Sequence, residues 1–266
     1  MFIDTHCHLD DPSLSGRLPE VIGNARLARV NRFVVPGVAP AEWGKIATLA
    51  SGGDGIYSAF GVHPMHAAAY GEEVLQELAR HAGGAVAIGE IGLDYMLAEV
   101  PRELQMKAFQ GQLQLAAEME LPVLIHCRKA FQDLLRIMRE ERADKVGGIM
   151  HAFSGSIETA RECISLGFAI SVAGPVTYQN AVRPLELVRN IPLEHLVLET
   201  DAPDMPPEPF RGTVNEPAYL VETAKTVAGI KGITMDELAD ITTANAERIF
   251  HFQDALKKME RGSNLI

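Results

Sequence analysis

Cysteine is scarce in this chain of 266 residues. The three cysteines, Cys7, Cys127 and Cys163, are an odd number without close paired spacing, so a disulfide framework is not expected. Free thiols in a reducing compartment fit better. Cys7 and Cys127 adjoin candidate metal-binding histidines. Strand neighbours point to opposite faces, however, so we expect both thiols in the core.

Long apolar runs are also missing. Hydrophobic residues make up 47% of the chain, but no stretch of them approaches the roughly 18 residues that a membrane-spanning helix needs. The N-terminus lacks the basic region followed by an apolar region that marks a secretion signal. These two absences predict a cytoplasmic protein that does not enter a membrane.

Positive charge is in short supply. Lys and Arg number 24 against 35 Asp and Glu, which gives a formal net charge of −11 at pH 7. Such a charge repels a polyanion at long range and excludes nucleic-acid binding through a general basic face. A phosphate-bearing substrate must therefore be held by a local cationic pocket or by bound metal. Nothing in the composition indicates an obligate protein partner.

What the chain does have is an alternation of short apolar runs with longer helical patterns. Several runs are almost wholly apolar, as parallel strands covered on both faces are. The predicted strands are residues 2–6, 32–35, 56–59, 85–89, 123–126, 148–151, 168–172 and 196–199. Eight such units in about 250 residues are typical of a TIM barrel, (β/α)8. We expect one barrel domain over residues 1–266. The alternative, an open doubly wound sheet, lacks a Gly-rich phosphate loop after its first strand.

Helical patterns fill the intervals between the strands. Residues 103–119 follow Pro101, which suits a helix start, and residues 130–141 repeat apolar side chains at helical spacing. Beyond the last strand, Thr234 and Glu237 have capping-box spacing and predict an extra helix. A separate final helix is predicted over residues 243–252.

Polar side chains interrupt the apolar pattern at the strand ends. His6 and His8 end the first predicted strand, and residues two apart on a strand share a face, so both imidazoles could bind one metal ion. Further potential ligands at later strand ends are Glu90, His126, His151 and Asp201. All of them fall at carboxyl ends of strands, the face on which barrel enzymes build their active sites.

The number of potential ligands bears on the number of metal ions. One catalytic zinc takes three protein ligands, whereas six ligands with two carboxylates can hold two cations. We expect His6, His8 and Asp201 in one group, His126 and His151 in the other, and Glu90 bridging them. Imidazole and carboxylate ligands suit Zn, Mn, Co, Ni or Fe and bind Mg only weakly. The identity of the metal stays open.

Short motifs surround these residues in order along the chain. They are Asp4-Thr5-His6-Cys7-His8, Gly61-Val62-His63-Pro64, Gly89-Glu90-Ile91-Gly92-Leu93-Asp94, His126-Cys127-Arg128, His151-Ala152-Phe153-Ser154-Gly155, Glu199-Thr200-Asp201-Ala202-Pro203, Asn215-Glu216-Pro217 and Thr243-Ala244-Asn245. The set resembles the TatD family of metal-dependent deoxyribonucleases, within the amidohydrolase-like barrels, over residues 1–252. The resemblance implies a (β/α)8 barrel, a divalent metal centre on the six positions, and hydrolysis of phosphodiester bonds in DNA, from a 3′ end in the family's manner.

The residue types also suggest a mechanism. A bound cation acidifies water and stabilises charge on phosphoryl oxygens. We expect Asp201 to bind metal and to orient or deprotonate the water. Glu199 could accept a hydrogen bond from a ligand histidine, or could be a plain surface carboxylate.

Substrate binding needs further donors. Arg128 can fork two N–H groups onto a phosphate, and His63 and Ser154 can add others. A loop salt bridge for Arg128 and a capped turn for His63 are the alternatives. Aromatic residues near the same loops could stack on a base, although such residues more often pack internally. They are Tyr95, Phe153, Tyr178 and Phe210.

One departure from the family bears on substrate size. Many relatives carry a basic residue before Asn215, whereas residues 212–214 here are Gly, Thr and Val. We therefore expect the substrate to be DNA, a short nucleotide or another small phosphoester. A hydrolase of amides or lactones is the first rival, although related barrels of that kind typically place a modified lysine where Glu90 stands. A metal-dependent binding module without catalysis is the second.

Overall fold

Eight parallel strands form the centre of the molecule and pair in chain order. In this computed structural model, which describes residues 1–252, the strands are β1 Phe2–Asp4, β2 Val30–Pro36, β3 Ile56–Phe60, β4 Ala87–Asp94, β5 Val123–Arg128, β6 Gly148–Met150, β7 Phe168–Val172 and β8 Leu196–Leu198. The last strand meets the first where Thr5 N donates to the carbonyl oxygen of Leu198 at 3.1 Å. The predicted (β/α)8 barrel is confirmed. Residues 253–266 of the predicted domain lie outside the described residues.

Helices connect the strands and cover the outside of the barrel. Those of the described residues are α1 Pro12–Ser15, α2 Leu18–Leu27, α3 Trp43–Ser51, α4 Glu72–Ala82, α5 Arg102–Met119, α6 Phe131–Glu140, α7 Ile157–Ser165, α8 Arg183–Asn190, α9 Leu220–Lys231 and α10 Met235–Phe250. The predictions for α5 and α6 are accurate to one residue at each end. Among these helices, none is both long and apolar enough to cross a bilayer.

Alternation along the strands builds two apolar layers. One residue of every strand enters an inner cluster, for example Leu124 of β5 and Ile149 of β6, while Val123 and Ile125 join the layer beneath the helices. Phe250 of α10 belongs to the inner cluster and so fills one end of the barrel. The period of two then places the polar side chains that follow the inner residues at the other end, where the strands terminate.

The fourth strand differs from its prediction. It was predicted over residues 85–89 with Glu90 beyond it, but β4 continues to Asp94, and its register against β5 shifts between Ile88 and Ile91. Gly92 makes this continuation possible, because it adopts φ +145 and a Cβ there would lie 1.9 Å from the carbonyl oxygen of His126. Glu90 thus lies inside a strand, at the irregularity.

Three strands end earlier than predicted, whereas β2, β3 and β5 extend further than predicted. β1 ends at Asp4 and β6 at Met150, so His6 and His151 lie in the turns that follow rather than on the strands. β8 stops at Leu198, one residue before Glu199.

The two predicted C-terminal helices are a single one. Helix α10 has Thr234 as its N-cap, with the predicted capping box present, and runs without interruption from Met235 to Phe250. Thr242 and Asn245 favour helix ends when considered alone. Here the Thr242 hydroxyl donates to Leu238 O at 2.9 Å, and the Asn245 amide donates to Leu193 O and Leu196 O at 2.8 Å each. These partners satisfy both side chains within a continuous helix, so the separate helix over residues 243–252 was wrong.

Candidate metal centre

Glu90 lies at the centre of a group of histidines at the carboxyl end of the barrel. Its Oε1 atom is 2.9 Å from His126 Nδ1 and 3.8 Å from His151 Nε2, while its Oε2 atom is 3.4 Å from His6 Nε2. Burial would raise the pKa of Glu90, but the surrounding histidines outweigh burial and hold that pKa well below its usual range. Each oxygen of an ionised, buried carboxylate therefore faces a different imidazole.

Asp201 is the second carboxylate of the group. Its Oδ1 atom lies 3.6 Å from His151 Nε2, 3.7 Å from His8 Nε2 and 3.8 Å from His6 Nε2. The residue has φ +58, a left-handed conformation that Asp tolerates better than most residues, and its N–H donates to His6 O at 2.9 Å. The structure therefore brings together all six of the predicted ligands.

The closest sets of ligand atoms differ from the two groups that we expected. Three trios have their ligand atoms within 4.8 Å of one another: His6, His8 and Glu90; His6, His151 and Glu199; and His63, Glu90 and His126. Glu90 belongs to two trios, in keeping with a bridging carboxylate. The trios also include His63 and Glu199, which we expected to bind substrate and to assist catalysis.

The donor set fits a divalent cation. His6 is fully buried, yet neither of its ring nitrogens has a hydrogen-bond partner among the described residues. Burial also lowers the pKa of His6, which keeps the imidazole neutral and able to donate a lone pair. A cation next to His6 Nε2 would give that nitrogen a partner and would neutralise the carboxylates of Glu90 and Asp201 beside it.

His126 is held from two sides. Its Nδ1 faces Glu90, and its Nε2 lies 3.4 Å from Asp94 Oδ2, whose other oxygen accepts Met96 N–H at 2.8 Å. Burial lowers the pKa of His126, but Asp94 and Glu90 outweigh that effect and raise the pKa to about 9. Asp94 has no role among the predicted site residues, although it stands in one of the quoted motifs. Its proximity to His126 depends on the extension of β4.

Glu199 supports His151 from behind. Its Oε1 atom lies 3.0 Å from His151 Nδ1 and accepts Ala152 N–H at 2.6 Å. Burial would raise the pKa of Glu199, but the neighbouring histidines keep it below its usual range. Glu199 is fully buried, which rules out the surface carboxylate that was its alternative.

His63 combines the two roles that we considered for it. Its Nδ1 accepts Met65 N–H at 3.2 Å and caps a short 3₁₀ helix, Pro64–Ala69. Burial lowers the pKa of His63 to about 3, so the imidazole is neutral, and with Nδ1 accepting, its proton must sit on Nε2. That N–H lies 3.7 Å from Glu90 Oε1, too far for a hydrogen bond, and in this tautomer Nε2 has no lone pair to offer a cation.

These side chains surround an open cavity of about 830 Å³. Eight of the ten predicted site residues line it, and the other two, His6 and Glu199, lie buried behind its floor. The Arg128 side chain is exposed on the wall, and within residues 1–252 its guanidinium makes no hydrogen bond or ion pair, so the loop salt bridge is not formed. Ser154 is exposed on the loop after the neighbouring strand β6.

A buried carboxylate behind the centre was also missed. Asp4 accepts Thr200 N–H at 2.9 Å and the Thr200 hydroxyl at 2.5 Å, and so ties β1 to the segment that carries Asp201. Burial raises the pKa of Asp4 to about 7. The motifs contain both residues, but only the closure of the barrel brings them together.

Most of the aromatic candidates are already engaged. The Arg102 guanidinium covers Tyr95 at 4.2 Å and Arg211 covers Tyr178 at 4.3 Å. Phe210 stacks on Tyr219 with ring centroids 3.7 Å apart. Phe153 is buried beside the cavity. The three cysteines are free and buried, as predicted.

Comparison with known families gives one match along almost the whole described chain. A family model described as "TatD related DNase" matches residues 3–251.

Similar proteins come from well-known bacteria. The chain is 44% identical over 253 residues to the "uncharacterized metal-dependent hydrolase YabD" of Bacillus subtilis, with 94% of this chain and 99% of that protein covered. The corresponding protein YcfH of Escherichia coli K12 is 36% identical over 253 residues, with 94% and 95% covered. The crystal structure of YjjV, a TatD homolog from E. coli K12, superimposes with a TM-score of 0.89 at 32% identity, with 94% of this chain and 98% of that one covered.

Proposed function

This chain belongs to the TatD-related DNase family of metal-dependent hydrolases, and from that premise we propose that it is a phosphodiesterase that uses two divalent cations to cleave short single-stranded DNA. The observation that carries the proposal is the position of Glu90 between His6 on one side and His126 on the other.

Six side chains would hold the cations. They are His6, His8, Glu90, His126, His151 and Asp201, with Glu90 facing both His6 and His126 and with His151 beside His6 and Asp201. Two bound divalent cations would acidify a water molecule and neutralise charge developing on the phosphoryl oxygens. The neighbouring carboxylates Asp94 and Glu199 fix the orientation of His126 and His151.

Asp201 is the candidate for handling the proton of the attacking water. Burial raises the pKa of Asp201, and a carboxylate with a raised pKa is a stronger base than one in solvent. Its left-handed backbone and the His6 contact aim the side chain at the histidine cluster.

Two donors on the cavity wall favour phosphate chemistry over carbonyl chemistry. The Arg128 guanidinium makes no hydrogen bond or ion pair among the described residues and can donate from two N–H groups to two oxygens of one phosphate. His63 carries its ring proton on Nε2, on the side of Glu90, because Nδ1 accepts the Met65 N–H in the turn. Two donors that line the same cavity suit the several oxygens of a phosphodiester better than the single carbonyl oxygen of an amide or lactone.

The rim of the cavity favours a short substrate. Its lining includes the carboxylates Asp10, Asp11, Glu42 and Asp204, and beyond Arg128 its only other long cationic side chain in the described residues is Lys45. A long polyanion would be repelled at this rim. A few nucleotides, or a smaller phosphodiester, can reach the candidate metal centre without covering the acidic rim.

A turnover screen tests the proposal. Metal-reconstituted protein is assayed on single-stranded oligonucleotides, dinucleotides, phosphomonoesters and N-acyl amino acids, with Asp201→Asn as the control for contaminating activity. We expect hydrolysis of the oligonucleotides and dinucleotides that Asp201→Asn lacks. Faster turnover of N-acyl amino acids by the wild type would reject a phosphodiesterase in favour of an amide hydrolase. Preference for phosphomonoesters would favour the smaller phosphoester instead.

A further inference from the structure

A second chamber adjoins the main cavity. It has a volume of about 300 Å³ and shares Ala152, Ser154 and Met205 with the main cavity. Its walls come from the loop after β6, from the end of β7 with the turn that follows, and from the start of α8. β7 bears none of the predicted ligands, so its carboxyl end is free to build this space.

The chemistry of the walls is mostly apolar. Val172, Val176 and Leu187 are all buried and line the chamber together with Phe153. The Phe153 ring packs against two neighbours. The centroid of the Phe131 ring lies 5.3 Å from its own, and the ring lies so close to Gly155 that a Cβ there would be 2.6 Å from Phe153 Cζ. The wall is therefore formed before any ligand enters.

Polar groups in the chamber are few and specifically placed. Ser171 is 1% exposed, and its hydroxyl oxygen has no hydrogen-bond partner among the described residues. The hydroxyl lies close enough to the Glu199 carboxylate to help lower the pKa of that group, so it can donate to Glu199 and still accept a hydrogen bond from a ligand. Arg183 stands exposed on the lining, and within residues 1–252 its guanidinium makes no ion pair.

We propose that this chamber is a binding site for the nucleobase of the nucleotide next to the scissile phosphate. The inference rests on the proposed function. A base has flat apolar faces and a polar edge, which match the Val, Leu and Phe walls and the single buried hydroxyl. Pockets of about 300 Å³ are at the small end of those that hold small molecules. Because Ala152 and Ser154 line both spaces, one nucleotide could place its base in the chamber and its phosphate in the main cavity beside Arg128.

Binding to metal-free protein tests the chamber independently of catalysis. The probes are thymidine 5′-monophosphate and 2-deoxyribose 5-phosphate, which has an anomeric hydroxyl where the nucleotide has its base. Both are titrated in the presence of EDTA and followed by ligand-observed NMR. Wild-type protein should bind the nucleotide at least about tenfold more tightly, since stacking and apolar contact with one base is worth that much.

Filling the chamber should abolish the difference. Ala173 lines it and is small, so Ala173→Phe places a ring where the base would lie. Ala181→Phe is the matched control, because it introduces the same side chain in the same β7–α8 connection outside the lining. The first variant should bind both probes equally, and the second should behave as wild type. If Ala173→Phe does not fold, Ser171→Ala should weaken nucleotide binding by roughly threefold or more through loss of one hydrogen bond.

Equal binding of the two probes to wild type would overturn the inference. The inference would also be overturned if a folded Ala173→Phe variant still bound thymidine 5′-monophosphate more tightly than 2-deoxyribose 5-phosphate by the wild-type factor. If Ala173→Phe does not fold, the same result in Ser171→Ala would overturn it. Hydrolysis of a thymidine dinucleotide by metal-loaded protein is measured alongside. Base-dependent binding without hydrolysis would reject the proposed function and support the nucleobase site. Hydrolysis without base-dependent binding would support the proposed function and reject the nucleobase site.

Discussion

The carboxylate of Glu90 lies 2.9 Å from the Nδ1 atom of His126. The same carboxylate reaches His6 with its other oxygen, at 3.4 Å from Nε2. One side chain thus connects the loop after β1 with strand β5, on opposite sides of the candidate centre. Several consequences of this arrangement can be measured.

Replacing Glu90 by Gln should lower both metal content and rate. The amide keeps the shape but loses the charge and one of the two oxygens that could face a cation. We expect fewer than two divalent ions per chain and a rate at least about 10²-fold lower than that of the wild type. Metal analysis of dialysed protein and steady-state kinetics measure these quantities. Glu118→Gln, an exposed position on α5, should match wild type. Full metal content in Glu90→Gln would remove Glu90 from the site.

Asp94→Asn should weaken metal binding without destroying the site. Asp94 faces the Nε2 of His126 at 3.4 Å and touches no other predicted ligand, so its loss misorients one imidazole. Partners of this kind typically contribute 10- to 100-fold in affinity or activity. The concentration of metal required for half-maximal rate should rise by about that factor, and excess metal should restore most of the maximal rate. A lower maximal rate at saturating metal, with the half-saturation point unchanged, would assign Asp94 to another role.

Arg128→Ala should weaken phosphodiester turnover while leaving metal content unchanged, because it removes a donor but no ligand. Arg128→Lys should restore only part of the rate, since an ammonium group lacks the planar fork. Rates are compared on a short single-stranded oligonucleotide and on a neutral ester. Arg161→Ala, an exposed arginine of α7, serves as the control for loss of surface charge. Equal losses on both substrates would argue that Arg128 has a structural role.

The cysteines should be unreactive in native protein. Burial raises the pKa of Cys163 to about 12 and that of Cys7 well above its ordinary value. At pH 8 a disulfide reagent should therefore modify less than one thiol per chain, and three after unfolding in guanidinium chloride. Rapid modification of native protein would place a thiol at the surface.

The barrel could be predicted from the sequence because its signal is local. Each strand is a short apolar run, and a period of two carries an inner residue such as Leu124 to a polar one at His126. Ile149 and His151 are related in the same way. The ends of such strands converge in any closed barrel, so these histidines could be placed together without coordinates.

The remaining features depend on long-range register. The shift in β4 that places Glu90 inside a strand and brings Asp94 to His126 has no local signature beyond Gly92. The turn at Met65 that fixes the proton of His63 depends on backbone geometry. The side chamber needs three separate loops to meet, and α10 is continuous because β8 and its approach supply partners for Asn245.

Titration of metal-free protein with Mn²⁺ or Zn²⁺ is the most direct test of the account. The initial rate of hydrolysis of a short single-stranded oligonucleotide is followed against the number of metal equivalents added. The account predicts no hydrolysis without metal and a rate that reaches its plateau at two equivalents. A plateau at one equivalent, or no hydrolysis at two equivalents of either metal, would contradict it.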